Sequence, residues 1–196
     1  ALLRSLMSNP RNTCASHDEL KSLDGLLLTA WFMVLLWAPS VSVSADIDWD
    51  ETIALIRSKF PDVTHISTTE AADLLGATEG DDVVLLDARA LDEYEVGHLN
   101  GALLATDVEM AIQSLGERAQ HDTIIVYCAV GYRSARLASK LERRGYENVL
   151  NLEGSLFKWA NEGRPVYREK KLVDEVHPYD EDWGRLVDSR YRAVLD

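Results

Sequence analysis

The alternation of short apolar runs with helical patterns constrains the fold of this chain more than any other feature. Val83–Leu86, Thr123–Tyr127 and Asn148–Leu152 are short and largely apolar, as expected of strands that are buried on both faces. Helical patterns separate these runs. Strands that alternate with helices at this spacing form a parallel sheet with helices on both faces. The sequence therefore predicts an α/β fold.

Several of the predicted helices carry their own start and stop signals. The apolar spacing over residues 50–60 predicts a short leading helix that Pro61 ends. Ser67 and Glu70 have the spacing of a capping box at the start of the next helix. Gly145 follows a helical pattern that begins just after residue 131.

Size and charge limit the classes of function. A chain of 196 residues suits one domain of about 100 to 150 residues with extensions. Its apolar fraction of 46% is sufficient for a hydrophobic core. The formal net charge of −13 argues against attraction to nucleic acid or to anionic membrane surfaces.

The N-terminal segment has the pattern of a targeting sequence. Residues 26–38 are mainly apolar, but this run is too short to cross a bilayer comfortably. Val43 and Ala45 fit the positions before a signal-peptidase site. We therefore expect residues 1–45 to be a signal peptide and the mature chain to be exported, periplasmic or secreted. One alternative is an uncleaved anchor, in which the apolar run extends to Val43 and reaches about 18 residues. A buried core helix is a second alternative, which the lack of a polar face disfavours.

The chain has two cysteines, Cys14 and Cys128, and only Cys128 lies beyond the predicted cleavage site. A lone thiol in an oxidising compartment is free or reactive. Cys128 follows a predicted buried strand and precedes a predicted helix, which is where ligands gather in parallel sheets. Its loop, CAVGYRS, offers consecutive backbone N–H groups, the adaptable Gly131 and the cationic Arg133. These features favour a reactive thiolate.

A structural role for Cys128 is the simpler alternative. Free cysteine is among the most buried residue types and packs as a small apolar side chain. However, alanine or valine would pack equally well at the end of a strand, and neither would require a glycine-containing loop followed by an arginine. The loop therefore favours the functional interpretation.

Three motifs make the chain resemble a single-domain rhodanese, a sulfurtransferase. They are LLDARALDEYEVGHLNGA at residues 85–102, YCAVGYRSA at 127–135 and NLEGSLFKWANEGRPV at 151–166. The resemblance covers about residues 64–167. Glu153 departs from the family pattern, since many members have a glycine there.

The resemblance implies a five-stranded parallel sheet with helices on both faces, and a catalytic Cys128 that carries sulfur as a persulfide. The sulfur would come from a donor such as thiosulfate and pass to cyanide or a thiol, without a metal or organic cofactor. The implied partners are a small sulfur-containing anion, a thiol acceptor or a protein sulfur acceptor, and no nucleic acid. A membrane would be involved only if the N-terminal segment is uncleaved. The implied substrate-binding residues are those of the loop: Ala129, Val130, Gly131, Tyr132, Arg133 and Ser134.

The other motif residues are expected to have supporting roles. Asp87 and Arg89 would orient the loop or pair with Glu93, and a purely structural ion pair is the alternative. His98 is predicted to be a hydrogen-bonded loop residue, and Trp159 to pack in the core.

This reading divides the chain into four parts: residues 1–45, a leading helix at 46–63, the rhodanese-like domain at 64–167 and a polar tail at 168–196. Four apolar residues of the tail have spacings that would let a helix dock onto the domain: Trp183, Leu186, Val187 and Tyr191.

Three other functions are weighed against sulfur transfer. Phosphatases that resemble this fold have five residues between cysteine and arginine, whereas four separate Cys128 from Arg133. The smaller ring suits one sulfur atom better than a phosphate group. A sulfur-carrier or redox protein and a non-catalytic partner-binding module remain as alternatives.

Overall fold

The computed structural model describes residues 48–77, 83–116 and 122–195, which belong to one compact unit, Ala45–Asp196. The predicted signal peptide, its cleavage site and Cys14 lie outside the described residues. Within the described ranges, no helix is long and apolar enough to cross a membrane.

A five-stranded parallel sheet forms the centre of the unit, in the order β1-β5-β4-β2-β3. Its strands are β1 Thr64–Ile66, β2 Val83–Asp87, β3 Leu103–Leu104, β4 Thr123–Tyr127 and β5 Val149–Leu152. Two further strands, β6 Val166–Arg168 and β7 Lys171–Val173, form a separate antiparallel hairpin.

In the part of the chain that the structure describes, six α-helices surround the sheet. They are α1 Trp49–Lys59, α2 Thr68–Ala77, α3 Leu91–Val96, α4 Val108–Leu115, α5 Tyr132–Glu142 and α6 Ser155–Asn161. The predicted capping box is present at α2, where the Ser67 N–H donates to Glu70 at 2.8 Å and the Glu70 N–H donates to Ser67 Oγ at 3.2 Å. The leading helix α1 also forms, with Asp48 as its N-cap.

Each face of the sheet packs against its own hydrophobic cluster. Along β4, Ile125 and Tyr127 point into one cluster, with α2 and α6, while Ile124 and Val126 point into the other, with α4 and α5. All four side chains are fully buried. This two-sided burial explains why the strand sequences lack alternation, and it confirms the predicted α/β fold with helices on both faces.

The tail lies against the sheet domain. Val176, Leu186 and Val187 are buried in the cluster that contains α6, and Asn161 of α6 binds the backbone of residues 186 and 188 at 2.7 and 2.8 Å. Trp183 and Tyr191 are partly buried against the same cluster. The predicted docking is present, but the secondary structure differs. The tail forms two single 3₁₀ turns, Trp183–Leu186 and Ser189–Tyr191, instead of an α-helix.

Candidate active site

Cys128 lies at the carboxyl end of the central strand β4, one loop before the N-terminus of α5. Gly131 is the N-cap of α5 and has a φ of +114°, a conformation that L-residues with side chains rarely adopt. A Cβ at this position would also lie 3.4 Å from the carbonyl oxygen of Leu152. The sequence therefore needs glycine here to turn the strand into the helix.

The loop directs hydrogen-bond donors at the sulfur atom. The Gly131 N–H donates to Cys128 Sγ at 3.1 Å, and the Ser134 hydroxyl lies 3.5 Å from it. Cys128 is only 1% exposed. A buried sulfur with several donors around it is stabilised in its anionic form.

The protonation of the thiol reflects two opposing effects. Burial raises the pKa of Cys128, while the charge of Arg133 and the hydrogen bonds from Ser134 and Gly131 lower it. The second group of effects is larger, so that the pKa lies below that of an ordinary cysteine. The site thus favours the thiolate despite its burial.

The segment between β5 and α6 holds the loop from its other side. The Cys128 N–H donates to Ser155 Oγ at 3.0 Å, and this hydroxyl donates to the Leu152 carbonyl at 2.9 Å. The carbonyls of Cys128 and Ala129 accept hydrogen bonds from the N–H groups of Leu156 and Phe157 in α6. Ser155 is therefore a positioning residue that the sequence motifs alone did not identify.

Arg133 forms an ion pair with Glu93 at the site. Its two terminal nitrogens donate to both oxygens of Glu93, at 2.6 and 2.7 Å. The Glu93 side chain is 3% exposed. Burial raises the pKa of Glu93, whereas the hydrogen bonds and the charge of Arg133 lower it. The lowering effects are larger, so the pKa of Glu93 is below its usual value.

The predicted supporting residues pair with each other. Asp87 and Arg89 are both fully buried, with Arg89 Nη2 lying 2.6 Å from Asp87 Oδ2 and 2.7 Å from the Gly97 carbonyl oxygen. They form the structural ion pair that was the alternative prediction, because Glu93 is taken by Arg133. Neither residue lines the pocket beside Cys128.

Two other motif residues behave as predicted. His98 is buried, its Nδ1 lies 3.0 Å from the Tyr94 carbonyl oxygen, and its ring stacks on that of Tyr94. Trp159 is buried in the core, and its indole N–H donates to the Pro165 carbonyl at 3.0 Å.

A pocket of roughly 120 Å³ opens beside the thiol. Four of the predicted substrate-binding residues line it, while Gly131 and Ser134 contact the sulfur from within the loop. Tyr179 and Trp183 of the tail complete the wall. Sequence reasoning did not place these two at the site, because they lie about 50 residues beyond the loop and no local pattern links them to it. The loop residues that line the pocket are Ala129, Val130, Tyr132 and Arg133.

No group of three or more His, Cys, Asp or Glu side chains is arranged to hold a metal ion within the described ranges. The nucleophilic group of the site is the Cys128 thiol, whose lowered pKa increases its thiolate fraction. A thiolate is able to attack an electrophile and to carry a transferred atom.

The chain is similar to known proteins in sequence and in fold. A family model described as "Rhodanese-like domain" matches residues 69–162. Proteins named tRNA uridine(34) hydroxylase from Pectobacterium carotovorum subsp. carotovorum (strain PC1) and Erwinia tasmaniensis are 29% and 27% identical to the chain. These matches cover 59% and 60% of this chain, but only 34% and 35% of the two relatives. The chain therefore spans about a third of the length of these relatives.

Among solved structures, the chain is similar to a thiosulfate sulfurtransferase from Pseudomonas aeruginosa, with a TM-score of 0.51 and 21% sequence identity. This match covers 61% of the chain and 23% of that protein. At this level of identity the similarity supports the fold alone, and the fold it supports is the five-stranded α/β sheet described above.

Proposed function

Since residues 69–162 of this chain are a rhodanese-like domain, we propose that the protein is a sulfurtransferase that carries sulfane sulfur on Cys128. The observation that carries the proposal is the environment of the Cys128 sulfur. A buried thiol, with a pKa lowered by Arg133, Ser134 and Gly131, has the properties of a nucleophile that becomes a persulfide.

The proposed reaction has two displacement steps. The Cys128 thiolate attacks the outer sulfur of a donor such as thiosulfate, a new S–S bond forms, and sulfite leaves with the electron pair of the broken S–S bond. Cyanide or a thiolate then attacks the terminal sulfur of the persulfide and leaves as thiocyanate or as a new persulfide, while the Cys128 thiolate is regenerated. No oxidant or reductant is consumed.

The loop would stabilise the charge that develops in both steps. The persulfide carries its negative charge on the terminal sulfur, and preorganised N–H and O–H donors stabilise such a charge without reorganisation. The Gly131 N–H and the Ser134 hydroxyl contact Sγ, so they would stabilise the charge when it lies on Sγ, at the start and at the end of the cycle. Because Ser155 and α6 bind the loop backbone, these donors would keep their positions through the cycle.

The arrangement of Arg133 does not favour phosphatase activity. Both terminal nitrogens of Arg133 bind Glu93, so they are not directed at a phosphate group in the loop. The four-residue spacing between Cys128 and Arg133 leads to the same preference for a single sulfur atom. A sulfur-carrier role would use the same persulfide, with a protein thiol as the acceptor.

We do not extend tRNA hydroxylation, the activity in the names of the relatives, to this chain. The chain spans about a third of those proteins, and its net charge of −13 would repel the phosphate backbone of tRNA. Export into the periplasm or the medium stays part of the proposal on the strength of the predicted signal peptide.

Steady-state kinetics with thiosulfate and cyanide test the proposal. We expect thiocyanate formation with parallel double-reciprocal plots, because a persulfide intermediate gives ping-pong kinetics. Cys128→Ala should abolish turnover, whereas Ser58→Ala, at an exposed hydroxyl of α1, should leave it unchanged. Turnover that persists in Cys128→Ala would contradict the proposal.

A further inference from the structure

The tail residues Tyr179 and Trp183 set the chemical character of the pocket beside Cys128. Both side chains line the pocket, although they lie outside the matched residues 69–162. Tyr179 is 46% exposed and Trp183 is partly buried. A donor that reaches Cys128 through this pocket would contact both side chains.

Most of the remaining wall is also apolar or aromatic. Ala129 and Val130 contribute small apolar groups, and Tyr132 contributes a third ring. Apolar and aromatic walls bind apolar groups of a ligand, and they give little stabilisation to a dianion, which loses its hydration on entry. The volume of roughly 120 Å³ is near that of cavities of about 150 Å³ that hold one benzene ring.

Arg133 is the charged residue among those that line the pocket, and part of its binding capacity is already used. Its two terminal nitrogens donate to both oxygens of Glu93. The ring of Tyr179 covers a face of the same guanidinium, with 4.7 Å between the guanidinium carbon and the ring centroid. An arginine that is already ion-paired and partly covered attracts a dianion less strongly than a free arginine does.

The segment between the two aromatic residues is acidic. Three carboxylates, Asp180, Glu181 and Asp182, are exposed and stand in sequence between the two aromatic residues. The formal charge of the whole chain is −13. The acidic segment and the net negative charge of the chain both reduce the rate at which a highly charged anion approaches the thiolate.

The tail is held against the domain by specific contacts. The ring of Tyr179 lies on the guanidinium of Arg133, and Asn161 of α6 donates to the Leu186 carbonyl at 2.7 Å. Leu186 and Val187 are buried in the core. These contacts place the aromatic side chains of the tail beside Cys128.

We propose that Tyr179 and Trp183 are specificity-determining residues that make the pocket prefer sulfane donors with an apolar group and at most one negative charge over thiosulfate. This inference rests on the proposed persulfide chemistry. With an arenethiosulfonate, the Cys128 thiolate attacks the outer sulfur, the S–S bond of the donor breaks, and the arenesulfinate leaves with the electron pair. The products are the Cys128 persulfide and a singly charged sulfinate.

The test compares kcat/KM for benzenethiosulfonate and thiosulfate at fixed cyanide. Wild type should prefer benzenethiosulfonate by about tenfold or more, within the range of electrostatic effects on association. Tyr179→Leu and Trp183→Leu keep apolar volume but remove a ring, and each should lower kcat/KM for benzenethiosulfonate about fivefold, the size of one lost aromatic contact. Their kcat/KM for thiosulfate should fall less or rise, so that the ratio between the two donors shifts toward thiosulfate in both variants.

Charge reversal at Glu181, with a control at Glu147, tests the role of the acidic segment at residues 180–182. Glu181→Lys should raise kcat/KM for thiosulfate more than that for benzenethiosulfonate. Glu147→Lys makes the same change in net charge at an exposed position just before β5. This position lies at the amino ends of the parallel strands, whereas Cys128 lies at their carboxyl ends. Glu147→Lys should leave the ratio between the two donors close to that of wild type.

The outcomes separate this inference from the proposed function. Equal kcat/KM for the two donors, or a donor ratio unchanged in both leucine variants with native unfolding curves, would overturn the inference while persulfide chemistry stands. If neither donor adds sulfur to Cys128 in wild type, the proposed function itself fails.

Discussion

At the scale of single residues, the pKa of the Cys128 thiol is set by opposing effects on its sulfur atom. Burial of Cys128 opposes ionisation, whereas Arg133, Ser134 and Gly131 favour it. Because burial also excludes water, each of these interactions is stronger than it would be at the surface. The thiol therefore gains thiolate character without exposure to solvent.

The pH dependence of thiol alkylation follows from this balance. The rate constant for iodoacetamide should rise with pH and level off above the pKa of the thiol, with a midpoint below the ordinary cysteine value of about 8.5. The double variant Arg133→Met, Glu93→Gln removes the positive charge without leaving a buried carboxylate unpaired, and its midpoint should move to higher pH. Arg143→Met, at an exposed arginine just beyond α5, is the matched control.

Two results would contradict this account of the thiol. One is a wild-type midpoint at or above that of a free cysteine, and the other is a midpoint that the double variant leaves in place. Either result would mean that Arg133 does not control ionisation of Cys128.

The sequence pointed to the residues of the Cys128 loop, but not to the contacts that other segments make with this loop. Cys128, Gly131 and Arg133 share one short segment, so their spacing in the sequence predicts that they lie close together. Glu93 lies 40 residues before Arg133, and Ser155 lies 27 residues after Cys128. Pairings of this kind are set by how the strands are ordered in the sheet, which no local pattern contains.

At the scale of secondary-structure elements, α1 supports the active-site loop although it lies outside the matched residues. Ile56 Cδ1 lies 3.5 Å from the position that a Cβ of Gly131 would occupy. Phe60 contacts the ring of Tyr132 edge-on, with 5.3 Å between centroids. Arg57 binds Glu153 at 2.5 and 2.9 Å, which gives a structural use to the residue that departs from the family pattern.

Truncation of Ile56 tests this support. Ile56 is 4% exposed, so Ile56→Ala should lower the free energy of unfolding by about 2 to 5 kcal/mol through lost burial and the cavity left behind. It should also slow sulfur transfer, because the loop loses a contact below Gly131. Leu55 is 49% exposed on the same helix, and Leu55→Ala should change stability by no more than about 0.5 kcal/mol. Urea denaturation of both variants measures the difference, and equal losses would contradict a supporting role for α1.

The element prediction was most reliable where burial gave a clear pattern. β2 and β4 are buried on both faces and were evident as apolar runs. The edge strand β1 has only three residues, too few for periodicity to identify. The tail has the apolar spacing of a docking segment, but only its contacts with α6 and the sheet domain determine that it docks as 3₁₀ turns.

At the scale of the whole molecule, two extensions converge on one loop. The helix α1 packs below Gly131, and the tail adds Tyr179 and Trp183 beside Cys128. Residues 69–162 thus supply the thiol and its hydrogen-bond donors. The helix α1 supports the loop, and the tail supplies part of the pocket wall. The order of the strands, the paired Asp87 and Arg89 and the two hydrophobic clusters hold these parts in place.

The central claim is that Cys128 carries sulfur, and the intact mass of the protein after incubation with a sulfane donor tests it most directly. Samples treated with thiosulfate or benzenethiosulfonate should gain one sulfur atom, lose it on addition of cyanide with release of thiocyanate, and show no gain in Cys128→Ala. The persulfide chemistry of a nucleophilic thiolate predicts this result. Wild-type protein that gains no sulfur from either donor, or a Cys128→Ala variant that gains it, would contradict the account.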